Sequence, residues 1–345
     1  MEKSASLRGD APSLVAEIGM MTGERPTVLI QGAGVSGLVT AVTLAERGAV
    51  VTLVEAGPRI GSGASWFAGG MLAPWCEAEA APAEVTRDSR DSLDWWAGHV
   101  PSVVSNGSLV VAPPRDLPEL ARFGRRTSHY ETLDPAAIAA LEPDLAGRFD
   151  RALFFPQEGH VDPRRALTHL EALLEAQGAM VRIGCPAPDP RDTQEYDWTV
   201  DCTGMDGRAD EPSLRGVRGE MILVRCPEVT LSRPVRMLHP RIPIYIVPRE
   251  DSLFMAGATM VESEDTRGIT VRAMSELLNA LYTLHPAFAE AEIVETNAGI
   301  RPAYPDNVPR VHREGKRITL NGMYRHGFLL SPARAKEVAH IVFGG

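Results

Sequence analysis

Only four cysteines occur in the 345 residues, Cys76, Cys185, Cys202 and Cys226. They form no C-x-x-C pair and have no histidine at metal-ligand spacing, so neither a disulfide scaffold nor a metal site is expected. Scattered thiols of this kind suit a reduced, cytoplasmic compartment. The chain also lacks any run of 18 apolar residues, which argues against a transmembrane helix. It lacks a long Lys/Arg run and carries a net charge of -10, so neither nucleic acid nor an anionic membrane is the expected partner. The first 24 residues have no apolar stretch of the secretory kind and read as a mobile leader.

What is present is a globular composition, 44% hydrophobic, long enough for two intimate domains. The segment TVLIQGAGVSGLVTAVTLAERGAVVTLVEAG, residues 27 to 57, predicts a strand, a helix to about Arg47 and a second strand over Val50 to Val54. Gly32, Gly34 and Gly37 give G-x-G-x-x-G: one glycine for the tight turn, one for backbone approach to a pyrophosphate, one for close helix packing. Ala33, Val35 and Ser36 share that turn. Glu55 closes the second strand beside Ala56, where a carboxylate can accept ribose hydroxyls and would repel the 2'-phosphate of NADP. From this segment alone FAD and NAD both stay open.

The next stretch, EAGPRIGSGASWFAGGMLAPW, is a glycine-rich loop where an NAD dehydrogenase would more often proceed to its next helix. With AGGML at 68 to 72 it resembles the D-amino acid oxidase family of flavoproteins, above all the glycine oxidases. The resemblance runs from about residue 27 onward and implies an α/β fold: a Rossmann-like FAD-binding domain (residues 25–85, 150–210 and 296–345) and an antiparallel-sheet substrate domain (86–149 and 211–295). In that family the loop runs beside the flavin, which implies roles for Ser65, Gly70 and Met71. The helix start at Asp162-Pro163 and the following strand return the chain to the cofactor domain. The adenine-contacting backbone falls at Ala187, after which the family's three-stranded meander is compressed into PAPDPRDTQE. YDWTVDCTG brings Thr203 and Gly204 to the phosphates.

Beyond residue 214, LRGVRGEMILVRC, IYIVPRED and LFMAGATM alternate as strands of a second sheet, with a hairpin turn at Arg249 to Asp251. By resemblance Tyr245 binds substrate and Met260 lines the pocket. NAGIRPAYPDN places Arg301 after Gly299. A guanidinium there could brace a loop or hold a carboxylate through two parallel hydrogen bonds; the resemblance implies the carboxylate anchor.

NGMYRHGFLLSPARA, residues 321 to 335, predicts a glycine-framed loop feeding a helix capped by Ser331 with Pro332 in its first turn. The resemblance lays Arg325, His326, Gly327, Phe328 and Leu329 along the flavin's pyrimidine edge, with histidine in place of the usual asparagine. Sarcosine oxidases of the wider superfamily hold flavin covalently on a cysteine near GIRPAYPDN. No cysteine follows Cys226, so FAD is expected to bind non-covalently. The implied reaction is oxidation of glycine or another small amino acid to its imine, with O2 reduced to hydrogen peroxide, in the thiazole branch of thiamine synthesis. Arg301, Tyr245 and Arg325 would carry catalysis. A D-amino acid or sarcosine oxidase, a non-catalytic FAD-binding subunit and an NAD dehydrogenase are the alternatives, and a homo-oligomer is compatible with the sequence.

Overall fold

The computed structural model describes residues 25–186, 188, 193, 195–239 and 244–344. The leader and Ala187 therefore lie outside the described residues. The chain opens with β1 (Thr27–Gln31), α1 (Val35–Glu46) and β2 (Val50–Glu55). A loop leads through β3 (Met71–Leu72) to short helices α2 (Pro74–Glu77), α3 (Ala83–Asp88) and α4 (Ser92–His99). β4 (Ser108–Val111), α5 (Leu117–Arg126), β5 (Glu131–Leu133), α6 (Pro135–Leu141), β6 (Ala152–Phe155) and β7 (Gly159–His160) follow. Next come α7 (Pro163–Ala176), β8 (Met180–Ile183), β9 (Trp198–Asp201) and β10 (Arg215–Arg225). β11 (Val235–Met237), β12 (Ile244–Pro248), β13 (Leu253–Gly257), β14 (Val261–Glu262) and α8 (Val271–Leu284) lead to β15 (Glu292–Ala303). β16 (Arg310–Glu314), β17 (Arg317–Asn321) and α9 (Gly327–Phe343) end the described chain.

Two large sheets organise these elements. The first has the order β16-β17-β9-β1-β2-β8 and is parallel except for its β16 edge. Its α1 carries no charge before Glu46, and Leu38, Val39, Ala41, Val42 and Leu44 are all fully buried. A helix apolar on nearly every side must be covered on nearly every side, and here α7 and α9 complete the cover. The glycine-motif βαβ unit is thus the centre of the first core. In α7, Asp162 caps the helix by accepting the N–H groups of Arg164 and Arg165, as the Asp-Pro start predicts.

The second sheet follows β14-β10-β13-β12-β11-β4-β6-β5, with β15 also paired to β10. Its pairs are antiparallel except β4 with β11, and β12 and β13 form the expected hairpin. Two stretches sit across the expected boundaries. β6 and β15 are strands of the second sheet, although residues 150–210 and 296–345 were assigned to the cofactor unit. Conversely α4, within 86–149, buries Trp96 in the first core.

The last helix corrects one expectation: it starts at Gly327, a full turn before Ser331, and Pro332 lies inside it. Pro332 has no N–H for the carbonyl of Phe328 four residues earlier. That carbonyl instead accepts the Trp96 indole N–H at 2.7 Å and faces the Ser92 hydroxyl at 3.4 Å. A buried acceptor left bare costs about 1 to 3 kcal/mol. Trp96→Phe keeps an aromatic ring but loses the donor, so it should lower the unfolding free energy by about 1 to 3 kcal/mol, read as a lower melting temperature. Adding Pro332→Ala, which restores a helical N–H to the same carbonyl, should recover part of the loss. A double variant no more stable than Trp96→Phe would show that the bond contributes nothing.

Candidate active site

The strand ends of the first sheet, the loop after β2 and the start of α9 meet the inner face of the second sheet around a cavity of about 340 Å³. At the nucleotide end Gly32 takes a positive φ of 94°, and a Cβ there would sit 2.6 Å from the Cys202 carbonyl oxygen. Gly37 is needed for packing alone: its Cβ would lie 1.9 Å from the Gly32 oxygen. Gly32, Gly34, Val35 and Ser36 line the cavity, while Ala33 and Gly37 stand behind its wall. Glu55 and Ala56 line it too. The Glu55 carboxylate accepts the N–H groups of Ala33 and Gly57, each at 2.7 Å, so it fastens the glycine turn.

Two helices begin at this cavity. Neither α1, with Gly34 at its N-cap, nor α9, with His326, has a side-chain cap or an acidic residue in its first turn. Apart from the Val35 N–H, their first-turn N–H groups and partial positive charges face an anionic or electron-rich partner. Ser65 donates nothing to α1 but accepts the Val35 N–H at 3.1 Å, marking where an acceptor oxygen fits. Thr203, Gly204, Gly70 and Gly299 complete the long wall, with Gly327, Phe328 and Leu329 at the far end. An elongated dinucleotide with phosphates at α1 and a polar ring edge at α9 fits this lining.

The other end holds a cluster that sequence reading recovered only in part. Arg301, Tyr245 and Arg325 are brought together, with Met71 and Met260 at the margins. Met71 packs in the small apolar cluster containing Tyr245, Val247 and Met255. Met260 is 47% exposed and contacts the Tyr324 hydroxyl and Arg325 through its sulfur. Glu77 and Arg236 were missed. Glu77 Oε2 pairs with Arg325 Nη2 at 2.7 Å, and Oε1 accepts the Tyr245 hydroxyl at 2.9 Å. Arg236 donates to the Tyr245 oxygen at 3.0 Å and lies 3.9 Å from Glu77 and 3.5 Å from Glu79. The missed signal was an arginine between Val235 and Met237, both buried, on a strand whose every position is enclosed. A charge in such a strand needs a partner, and the partner is functional ground.

Burial alone would raise the Glu77 carboxyl, but Arg325, then His326 and Arg236, hold it down at about 2. It is an anion at neutral pH. His326 is pushed down to about 4, chiefly by burial and further by Arg325 and Arg301 against the pull of Glu77, so its imidazole is neutral. Burial and Arg236, acting oppositely, leave Tyr245 well above the ordinary phenol range. Arg301 is brought to about 10 by burial, with Tyr324 opposing and Arg325 assisting, and stays cationic. Among the described residues it has no carboxylate partner, and its one hydrogen bond goes to the Thr259 carbonyl at 3.1 Å. Its guanidinium lies over Gly219, where a Cβ would come within 2.1 Å of Nη2. The β10–β15 register pairs Gly219 with Gly299, which clears the face of the ribbon on which Arg301 lies.

These features suit a flavin-dependent oxidoreductase. The chain belongs to the FAD dependent oxidoreductase (DAO) family, which it matches over residues 27–341. It is 57% identical over 313 residues, 90% of this chain and 95% of the other, to a Rhizobium etli protein named as a candidate thiamine biosynthesis oxidoreductase ThiO. A glycine oxidase of Pseudomonas aeruginosa is 29% identical, covering 92% of this chain and 94% of its own. The crystal structure of glycine oxidase from Geobacillus kaustophilus superposes with a TM-score of 0.78 at 26% identity, covering 93% and 95% of the two chains.

Glu158 underpins the cluster. It is fully buried, accepts the Cys76 N–H at 2.6 Å and bonds the Ser108 hydroxyl. Burial raises its carboxyl to about 8 from 4.5, against the opposing bonds from Ser108 and Cys76. The folded state therefore binds this proton more tightly than the unfolded chain does. The resulting stability is complete below pH 4.5 and is lost as pH rises toward 8. Glu158→Gln should be destabilised less than wild type between pH 5 and 8, so the two melting curves converge or cross on the alkaline side. Parallel dependence of both melting temperatures on pH would refute a protonated Glu158.

Proposed function

We propose that this protein oxidises glycine, or a comparably small amino acid, to its imine with dioxygen reduced to hydrogen peroxide, using non-covalently bound FAD. The observation that carries the proposal is Arg301: a cationic guanidinium on the cavity wall, given room by Gly219 and without a carboxylate partner among the described residues. Such a group is suited to a substrate carboxylate, which it can hold through two parallel charge-assisted bonds. The reaction removes two electrons and two protons from the Cα–N bond of the amino acid and delivers them to oxygen. Bound FAD supplies the electron acceptor for that transfer.

The chain's own residues supply position and charge. Arg301 fixes the carboxylate. The Tyr245 hydroxyl, locked between Glu77 and Arg236, sets one wall of the space left for Cα. Arg325, neutral His326 and the open start of α9 favour negative charge developing at a ring edge placed there. Glu77 is too acidic to take a proton at neutral pH, so the amine would enter in its neutral form. Non-covalent attachment is supported by the thiols nearest the cavity: burial raises both Cys76 and Cys202, holding them as unreactive thiols. The names of the relatives support a role in thiamine biosynthesis, where the imine would feed thiazole assembly.

Purified protein should be yellow, release free FAD on denaturation and be bleached by glycine without air; colour retained on the precipitate would rule out the non-covalent link. Arg301→Lys exchanges a two-pronged donor for one ammonium, a loss of about 1.5 to 3 kcal/mol per charge-assisted bond or roughly one to two powers of ten in kcat/KM. Gly219→Ala should do similar harm from the neighbouring strand, because its new methyl displaces only the mobile end of Arg301. Both variants should keep their FAD. Peroxide assays with flavin occupancy measured alongside test this, and unchanged glycine turnover in both would make Arg301 a strand brace.

A further inference from the structure

Three guanidinium groups, from Arg236, Arg301 and Arg325, line one cavity. Arg236 has two acids near it, Glu77 at 3.9 Å and Glu79 at 3.5 Å. Arg325 has one, Glu77 at 2.7 Å; its other described contacts are the Met260 sulfur at 3.7 Å and the Tyr324 ring at 6.0 Å. Arg301 has none among the described residues. We infer that Glu77 determines substrate specificity by occupying Arg325, which leaves Arg301 as the single open anion seat and restricts the site to amino acids bearing one carboxylate. This rests on the reading of Arg301 as the carboxylate anchor.

The argument is one of charge and burial. Glu77 is 6% exposed, so its ion pair with Arg325 is sheltered from water and costly to break. A second substrate carboxylate could reach Arg325 only by displacing that acid or by lying beside it, like charge against like. Removal of the Glu77 charge reverses the situation. Arg236 would keep Glu79, and the Tyr245 hydroxyl would keep Arg236. Arg325 alone would lose its only described carboxylate. Arg301 and Arg325 line the same cavity, Arg325 acts electrostatically on Arg301, and both act on His326, so a seat opened at Arg325 adjoins the one at Arg301.

The test is calorimetric titration of the FAD-loaded enzyme with acetate and malonate, neither of which is oxidised. Wild type should bind malonate no better than acetate. Glu77→Gln, which keeps the shape and an acceptor for Tyr245, should raise the malonate-to-acetate affinity ratio roughly tenfold or more, the worth of a new charge-assisted pair. Glu77→Asp, which keeps the charge, should stay near wild type. An unchanged ratio in the Gln variant, or an equal rise in the Asp variant, overturns the inference. If the Gln variant fails to hold FAD, wild type alone decides: malonate bound tenfold tighter than acetate, or neither anion bound, overturns it. Anion binding without bleaching by glycine would instead count against the proposed reaction and leave the role of Glu77 standing.

Discussion

One carboxylate gathers the reactive end of this molecule. Glu77, on a single-turn helix, takes Arg325 from the loop before α9 and Tyr245 from the second sheet, with Arg236 alongside. These groups come from three distant parts of the sequence, and the acid is where they meet. A buried anion is unfavourable unless several donors converge on it, and the convergence is what fixes their relative positions. Glu158 adds a lower tier by holding the Cys76 N–H that precedes Glu77. The cluster is therefore a scaffold of charges, rigid because each member is the condition for the next.

Against that scaffold, the cavity walls are shaped by what is left out. The Gly219–Gly299 pair removes two side chains from the β10–β15 ribbon where Arg301 must lie flat. At the opposite end the glycine turn after β1 lets a helix begin against the cavity with its N–H groups exposed to it. Open helix starts along the wall, and cleared space beside concentrated charge at one end, suit a long, polar, two-part ligand with a small anion beside it.

The parts of this arrangement legible in the sequence were those with strong local rules. The βαβ unit shows itself through period, glycine spacing and a terminal acid, and the β12–β13 hairpin through alternation broken by a charged turn. Arg301, Tyr245 and Arg325 were found through family likeness rather than spacing. Glu77 and Arg236 were not found, because their meaning is tertiary: each is an ordinary charged residue until burial gives it a partner. The start of α9 was misplaced for a related reason. Ser331 and Pro332 form a good local start signal, but a tryptophan far away satisfies the carbonyl that proline would otherwise strand, and the helix extends one turn further. The pairing of β15 with β10 was likewise hidden, since its small and mixed residues show no clear alternation.

The Trp96 to Phe328 bond spans 232 positions, and this separation orders events in time as well as in space. A ribosome delivers Trp96 long before it delivers the helix whose first turn that indole completes. In the interval the indole and the apolar face meant for α9 have no native covering, so the early part of the chain must wait, partly uncovered, for α9. Cofactor capture comes later still, since the start of α9, one of the two helix starts that face the cavity, is made long after the start of α1. Assembly of this protein should accordingly be sensitive to chaperones and to the supply of flavin once α9 has been made.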